Sequence, residues 1–307
     1  MDIRFDNRVA IVTGAGAGLG RSHALGLAAR GAKVVVNDLG VSRDGTGASS
    51  EAALSVVEEI QAMGGEAMAH GADVSDEEAV GDMVAQAMDA WGRIDICVNN
   101  AGILLDKTFA KMDMAAFRKV VDVHLIGSAN VTHACWPIMR EQQYGRIVLT
   151  SSGSGLYGNF GQSNYGAAKA AMLGLMNVLH MEGARDNIRV NTLAPTAATR
   201  MTADLLPAEA QELLAPETIT PGLLYLVSDD APSQVILGAG AGSYAETRVY
   251  ETQGITLMED DNTPEQVAAR FDDIRDPSDK QQLGDAFAQT KKYALNAAKA
   301  KGLKLNW

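Results

Sequence analysis

The sequence predicts an α/β protein: a Rossmann-type doubly wound parallel sheet with a helical C-terminal extension. Three observations lead there. Short β-branched runs alternate with longer amphipathic stretches, the rhythm of a parallel sheet covered by helices on both faces. A glycine-rich turn joins the first run to the first helical stretch, where a βα unit receives a phosphate. From about Gly238 the texture shifts to a polar, helix-rich tail.

Residues Val9–Thr13 and the runs 34–36, 94–98, 147–149 and 188–190 are continuously apolar rather than alternating, which predicts strands buried on both faces. Between them, 21–30, 49–63, Glu77–Trp91, 114–139 and 165–183 carry apolar residues at helical spacing. A strand at 66–70 is inferred because Gly64-Gly65 stops a helix just before it, and a last strand is placed at 235–237. In the tail, Thr263-Pro264 gives an N-cap followed by proline at the first helical position. Residues 1–240 are therefore expected to hold the cofactor and catalytic sites, and 241–307 to be an extension rather than an independent domain.

Composition narrows the function. The chain of 307 residues is 47% hydrophobic and 21% charged, with no apolar run of the ~18 residues a membrane helix needs. With 38 acidic against 26 basic residues the net charge is -12, which repels phosphate backbones and argues against nucleic-acid binding. Cys97 and Cys135 form neither a disulfide framework nor a metal spacing, and the first residues lack a secretory signal; a cytoplasmic protein is expected. The C-terminal Lys-Leu-Asn-Trp is not a peroxisomal Ser-Lys-Leu ending. Histidines 23, 70, 133 and 180 share no ligand spacing, so no metal is predicted. Lys291, Lys292, Lys299, Lys301 and Lys304 lie in an acid-free stretch and are read first as a solvated helix face.

Gly14, Gly16, Ala17, Gly18, Leu19 and Gly20 form the turn after the first strand. Glycine lets the backbone turn tightly and approach a pyrophosphate resting on the helix N-terminus. The second strand ends at Asp38, placing a carboxylate where an adenosine ribose presents its hydroxyls. Together these features predict dinucleotide binding. Tyr165 and Lys169, four residues apart, share one helix face, so an ammonium beside the phenol, together with a positive nicotinamide ring, can pull its pKa down from about 10 towards working pH. Tyr165 could then take a proton from an alcohol, and Ser152, after a strand, could hold the alcohol oxygen. Ser154, Tyr157, Phe160 and Gln162 lie between Ser152 and Tyr165 and are candidate substrate contacts.

These motifs resemble the short-chain dehydrogenase/reductase family over roughly residues 5–240. The likeness includes the loop 13–20, Asp38, Ala72-Asp73-Val74, Asn99-Asn100-Ala101-Gly102, Ser152, Tyr165 and Lys169. Within the family the chain is most similar to the (3R)-hydroxyacyl-CoA dehydrogenase units of multifunctional enzymes of peroxisomal β-oxidation. Val34-Val-Val-Asn-Asp38-Leu-Gly40, Tyr144-Gly-Arg-Ile147, the stretch 154–162 and Arg200-Met-Thr202 carry that likeness.

The resemblance implies NAD as cofactor, a β-hydroxyacyl thioester as substrate and at least a homodimer. It adds Asp73, Val74, Asn100, Ala101, Gly102, Tyr165, Lys169 and Pro195 to the cofactor contacts, with Thr199 as the group holding the carboxamide. His124 stands where most members carry a relay asparagine; it is read either as a catalytic relay group or as a helix histidine satisfied by backbone. Thr196 replaces the usual glycine after Pro195. The alternative substrate is a hydroxysteroid or another secondary alcohol, because these motifs recognise only carbinol and cofactor. A non-catalytic nucleotide-binding scaffold is disfavoured by the intact Ser152, Tyr165 and Lys169.

Overall fold

The computed structural model describes residues 2–40, 42, 44–47, 49–198 and 207–306. It comprises two compact units, Met1–Thr247 and Arg248–Trp307. Among the described residues no helix is long and apolar enough to cross a membrane.

The first unit alternates strand and helix: β1 (Val9–Thr13), α1 (Gly18–Ala28), β2 (Lys33–Asn37), α2 (Glu51–Ala62), β3 (Ala67–His70), α3 (Glu77–Trp91), β4 (Ile96–Asn99), α4 (Met114–Val121) and α5 (Gly127–Gln142). It continues with β5 (Gly145–Thr150), α6 (Gly153–Tyr157), α7 (Ser163–Gly183), β6 (Ile188–Pro195), α8 (Ala208–Leu213), α9 (Thr220–Leu226), β7 (Ile236–Gly240) and β8 (Ser243–Thr247). The sheet order is β3-β2-β1-β4-β5-β6-β7-β8. All neighbours are parallel except the last pair. The order reverses direction between β1 and β4, and a doubly wound sheet opens its binding crevice at the carboxyl ends of such a pair.

Strand pleating explains why the apolar runs are unbroken. Successive side chains point to opposite faces. Ala10, Val12, Val34, Val36, Ile96 and Val98 pack under α1, α2 and α9. Val9, Ile11, Val35, Cys97, Ile147 and Leu149 pack under α3, α5 and α7. Both faces are covered, so both are lined mainly by apolar side chains.

Three expectations needed adjustment. The stretch 114–139 is not one regular helix: a π-helical turn, Asp122–Ile126, separates α4 from α5. Such a turn inserts an extra residue, and here it carries His124. β6 runs on to Pro195 because the polar Asn191 and Thr192 are themselves buried in the sheet. The Gly238–Gly242 segment ends β7 and turns into β8. Ala241 (φ 49°) and Gly242 (φ 73°) occupy the turn, whose positive φ values match the twist of a tight hairpin.

At the amino ends of the strands, Asp95 is fully buried. Its carboxylate accepts from Arg8 (3.0 Å), Arg93 (2.6 and 2.8 Å) and the Val9 amide (2.9 Å). Removing the acid leaves these donors without their anion, so Asp95→Ala is expected to cost about 3–5 kcal/mol of stability. Urea unfolding checks this, and a loss below about 1 kcal/mol would refute it.

In the second unit, α10 (Pro264–Ala269) starts as expected, with Thr263 accepting from the Gln266 amide at 3.3 Å. α11 (Phe271–Ile274) and α12 (Ala286–Ala300) follow, the latter capped by Asp285. Lys292 is not a solvated cation. It is buried, paired with Glu251 at 2.8 Å and donating to the Thr252 carbonyl.

Candidate active site

A cleft of about 500 Å³ is lined by the turn after β1, the ends of β2, β4 and β5, and the start of α7. Its floor is built by close backbone approach. Gly14 (φ 63°) and Gly18 (φ 54°) adopt the left-handed region that glycine tolerates. A Cβ on Gly20 would lie 2.1 Å from the Gly14 carbonyl, so any side chain there forces the helix off the loop. Gly16 and Gly20 shape the turn, while Gly14, Ala17, Gly18 and Leu19 line the cleft. Ala17 gives the first turn of α1 no side-chain cap, leaving its amides for a ligand anion.

The Gly14 turn is clamped to the β4 end. Thr13 Oγ1 accepts from the Asn100 and Ala101 amides (3.0 and 3.1 Å), and Asn100 Nδ2 donates to the Thr13 and Gly14 carbonyls (both 3.0 Å). Asp38 receives the Gly16 amide on one oxygen and the Gly40 amide on the other, each at 2.7 Å. Each carboxylate oxygen keeps a lone pair for a further donor. Asp73 and Val74 lie on the same wall, Asp73 accepting from the amide and hydroxyl of Ser75.

Ser152, Tyr165 and Lys169 all line the cleft. Ser152 is the N-cap of α6, its Oγ accepting from the Ser154 amide at 3.2 Å. Tyr165 and Lys169 sit one turn apart on α7, and the Lys169 Nζ lies 5.7 Å from the phenol ring centre. Nζ donates to the Thr150 carbonyl at 2.6 Å. Burial lowers the Lys169 ammonium from 10.5 to about 7. Burial also raises the Tyr165 phenol, against a hydrogen bond with Ser152 that lowers it; Asp106 adds to the rise. The phenol thus lies above its usual value, and lysine by itself does not produce the depression expected from lysine and nicotinamide together. A buried amine that is itself losing its proton near neutrality supplies little positive charge.

His124 is buried, with its ring edge-on to Tyr165 at 5.1 Å. Its Nε2 meets the Ile103 carbonyl (2.8 Å) and amide (3.1 Å), whereas Nδ1 has no partner among the described residues. Burial, with Lys169 nearby, holds its pKa well below 6.5, so the ring is neutral. Backbone thus satisfies one nitrogen, as the helix-histidine reading expects, and the other is a buried polar atom on a ring that packs against Tyr165.

Ala101, Gly102, Pro195 and Thr196 also line the cleft. Ser154 and Gln162 do so as well, but Tyr157 and Phe160 are 76% and 89% exposed and do not. Thr199 and 200–202 lie outside the described residues. Sequence reasoning passed over Asn37, whose amide ties the cleft edge to the His70 and Ala72 carbonyls. A polar residue ending an apolar strand was the available signal. It also passed over Lys119, which lines the cleft, and Asp106, which accepts from Gln162; no local motif marks either.

This architecture defines a class: an α/β enzyme with a dinucleotide-type cleft and a serine, a tyrosine and a lysine converging on it. Residues 8–210 match the family described as short chain dehydrogenase, and the chain belongs to that family. It is an oxidoreductase acting at hydroxyl groups.

A Mycobacterium tuberculosis protein named as a short-chain type dehydrogenase/reductase is 47% identical over 275 residues, 89% of this chain and 95% of the relative. Peroxisomal multifunctional enzyme A of Dictyostelium discoideum is 45% identical over 282 residues, 91% of this chain but 63% of that protein. Among solved structures, full-length peroxisomal multifunctional enzyme type 2 from Drosophila melanogaster aligns with a TM-score of 0.81 at 37% identity, over 97% of this chain and 50% of that one. The chain thus spans the mycobacterial relative almost entirely and only part of the two peroxisomal ones.

Proposed function

We propose that this enzyme uses NAD to oxidise (3R)-3-hydroxyacyl-CoA to 3-oxoacyl-CoA, with Tyr165 as general base. The observation that carries the reading is the convergence of Ser152, Tyr165 and Lys169 on the cleft that the glycine turn and Asp38 border. The likeness to peroxisomal multifunctional enzymes supports the choice of acyl-CoA.

The residues fit a dinucleotide. A Cβ at Gly14 would lie 2.8 Å from the Ala101 backbone, so the turn is as close-packed as a pyrophosphate cradle requires, and the α1 amides face it uncapped. Asp38 would accept from the adenosine ribose, and Asn100 to Gly102 would border the nicotinamide side. Bound NAD supplies the acceptor for the hydride lost by the carbinol carbon. Ser152 holds the substrate oxygen against Tyr165, whose phenolate form takes the hydroxyl proton. Lys169 would hold the ribose of bound NAD with its remaining N–H groups and, when protonated, favours the phenolate. His124 places its ring against Tyr165 and keeps the phenol in position. Assembly as a homodimer belongs to the same reading and is checked by sedimentation.

NADH formation tests the substrate assignment with three compounds: a (3R)-3-hydroxyacyl-CoA, its N-acetylcysteamine thioester and a 17β-hydroxysteroid. The CoA ester should have the highest kcat/KM, because contacts remote from the carbinol can be used in the transition state. A steroid turned over equally well would replace the acyl-CoA reading with the secondary-alcohol one.

Cofactor choice is a separate expectation. Asp38 accepts ribose hydroxyls and repels a 2′-phosphate, so NAD should be preferred over NADP. Asp38→Ser is expected to reduce that preference at least about tenfold in kcat/KM. Unchanged discrimination in this variant would remove Asp38 from cofactor selection.

A further inference from the structure

The substrate side of the cleft carries a polar network that the proton-transfer chemistry does not use. Gln162 Oε1 accepts from Ser154 Oγ (2.6 Å) and Asn159 Nδ2 (3.0 Å), and its Nε2 donates to Asp106 Oδ2 (2.8 Å). The segment bearing Asp106 is stitched to the one bearing Gln162 by two further bonds. The Lys107 amide donates to the Gly161 carbonyl (2.9 Å), and the fully buried Asn164 donates to the Leu105 carbonyl (2.9 Å). Asn164 Oδ1 also accepts from the Tyr165 amide (2.8 Å), so the same seam reaches the base.

The network fixes which way the Gln162 amide faces. A carboxylate only accepts, so the end beside Asp106 must be the NH2 group; the other end takes two donors and both oxygen lone pairs are spent. Among the described residues one Nε2 hydrogen has no acceptor, in a residue that lines the cleft. The Ser154 proton is already given to Gln162, which leaves its oxygen only as an acceptor. An amide donor with a hydrogen to spare on the wall suits a substrate acceptor near the carbinol. The thioester carbonyl of a 3-hydroxyacyl group, two carbons from the carbinol carbon, is such an acceptor; a hydrocarbon ring would leave the donor unpaired, which is costly.

We propose that Gln162 binds the thioester carbonyl and that Asp106 is a positioning residue that holds the Gln162 amide in the donating orientation. This rests on the acyl-thioester reading above. Asp106 also acts at a distance, since its charge disfavours the Tyr165 phenolate.

The test compares kcat/KM for a (3R)-3-hydroxybutyryl N-acetylcysteamine thioester with that for a 2-alkanol lacking the carbonyl, in wild type, Gln162→Leu, Asp106→Ala and Asp106→Asn. NAD binding by fluorescence reports folding of each variant. Gln162→Leu should lower thioester kcat/KM about fivefold, the value of one hydrogen bond of average strength, and the alkanol value much less. Asp106→Ala should lose a large part of the same preference.

Asp106→Asn keeps an acceptor for Nε2 and should retain the preference, while the pH midpoint of kcat/KM shifts to lower pH as the charge beside Tyr165 is removed. A structural role alone would not separate the two Asp106 variants in this way. If wild type prefers the thioester and Gln162→Leu keeps that preference, or if both substrates fall equally, the Gln162 assignment is overturned and the acyl-thioester reading stands. If wild type shows no preference for the thioester, the acyl-thioester reading itself fails and this assignment fails with it.

Discussion

Tyr165→Phe is expected to lower kcat for alcohol oxidation at least about 100-fold while leaving NAD affinity nearly unchanged. The substitution deletes one hydroxyl and preserves the ring that packs edge-on against His124 at 5.1 Å. None of the residues that cradle a pyrophosphate or accept from the ribose is touched. The loss should appear in kcat and kcat/KM together, because the proton leaves for the phenol only as the transition state forms. Steady-state NADH formation and cofactor titration measure the two halves of the claim. A variant retaining more than about a tenth of wild-type kcat would leave general-base catalysis to another group.

Lys169→Met should abolish turnover to a similar degree and at the same time stabilise the fold near neutral pH. Burial lowers the Lys169 pKa from 10.5 to about 7. Between those values the unfolded chain binds a proton that the folded protein does not. Wild-type stability therefore rises with pH across the window, and the part present above pH 10.5 is lost as pH falls through about 7. At pH 7 the destabilisation is on the order of 4 kcal/mol, since each pH unit between the two values is worth about 1.4 kcal/mol. Losing the bond to the Thr150 carbonyl offsets about 1 kcal/mol of the gain. Methionine fills a similar volume without the charge. Urea midpoints should thus be higher in the variant at pH 7 and converge with wild type towards pH 10. Parallel pH slopes in the two proteins would show that Lys169 is not the group responsible. Such a residue, costly to the fold and required for chemistry, is the expected signature of a functional site.

His124 gives a concrete measure of how local signals and tertiary context divide. Its place in a helical stretch was legible, but its ring lies where it does because a π-helical turn, Asp122–Ile126, brings it to the Ile103 backbone. Helical periodicity over 114–139 cannot announce an extra residue whose reason lies in another loop. Tyr157 and Phe160 illustrate the same limit from the other side. Both lie between Ser152 and Tyr165 in the chain, yet the segment turns outward and leaves them exposed, while Ser154 and Gln162 line the cleft. Proximity in sequence bounds a loop at its ends and says nothing of which side chains turn inward.

The amino-acid sequence by itself determined the strand-helix alternation, the glycine turn, Asp38 and the pairing of Tyr165 with Lys169. Each of these depends on short-range physics: pleating with both faces buried, left-handed φ at Gly14 and Gly18, and a four-residue helical offset. Only the tertiary structure decided the rest. It set the protonation of Lys169, because desolvation depends on everything packed around the amine. It joined Asp106 to Gln162 across two segments far apart in the chain, and it gave the Gln162 amide its orientation. It sank Lys292 from a basic run into a pair with Glu251. Charge, burial and hydrogen-bond partners are properties of an environment assembled from distant segments, and no window along the chain contains them.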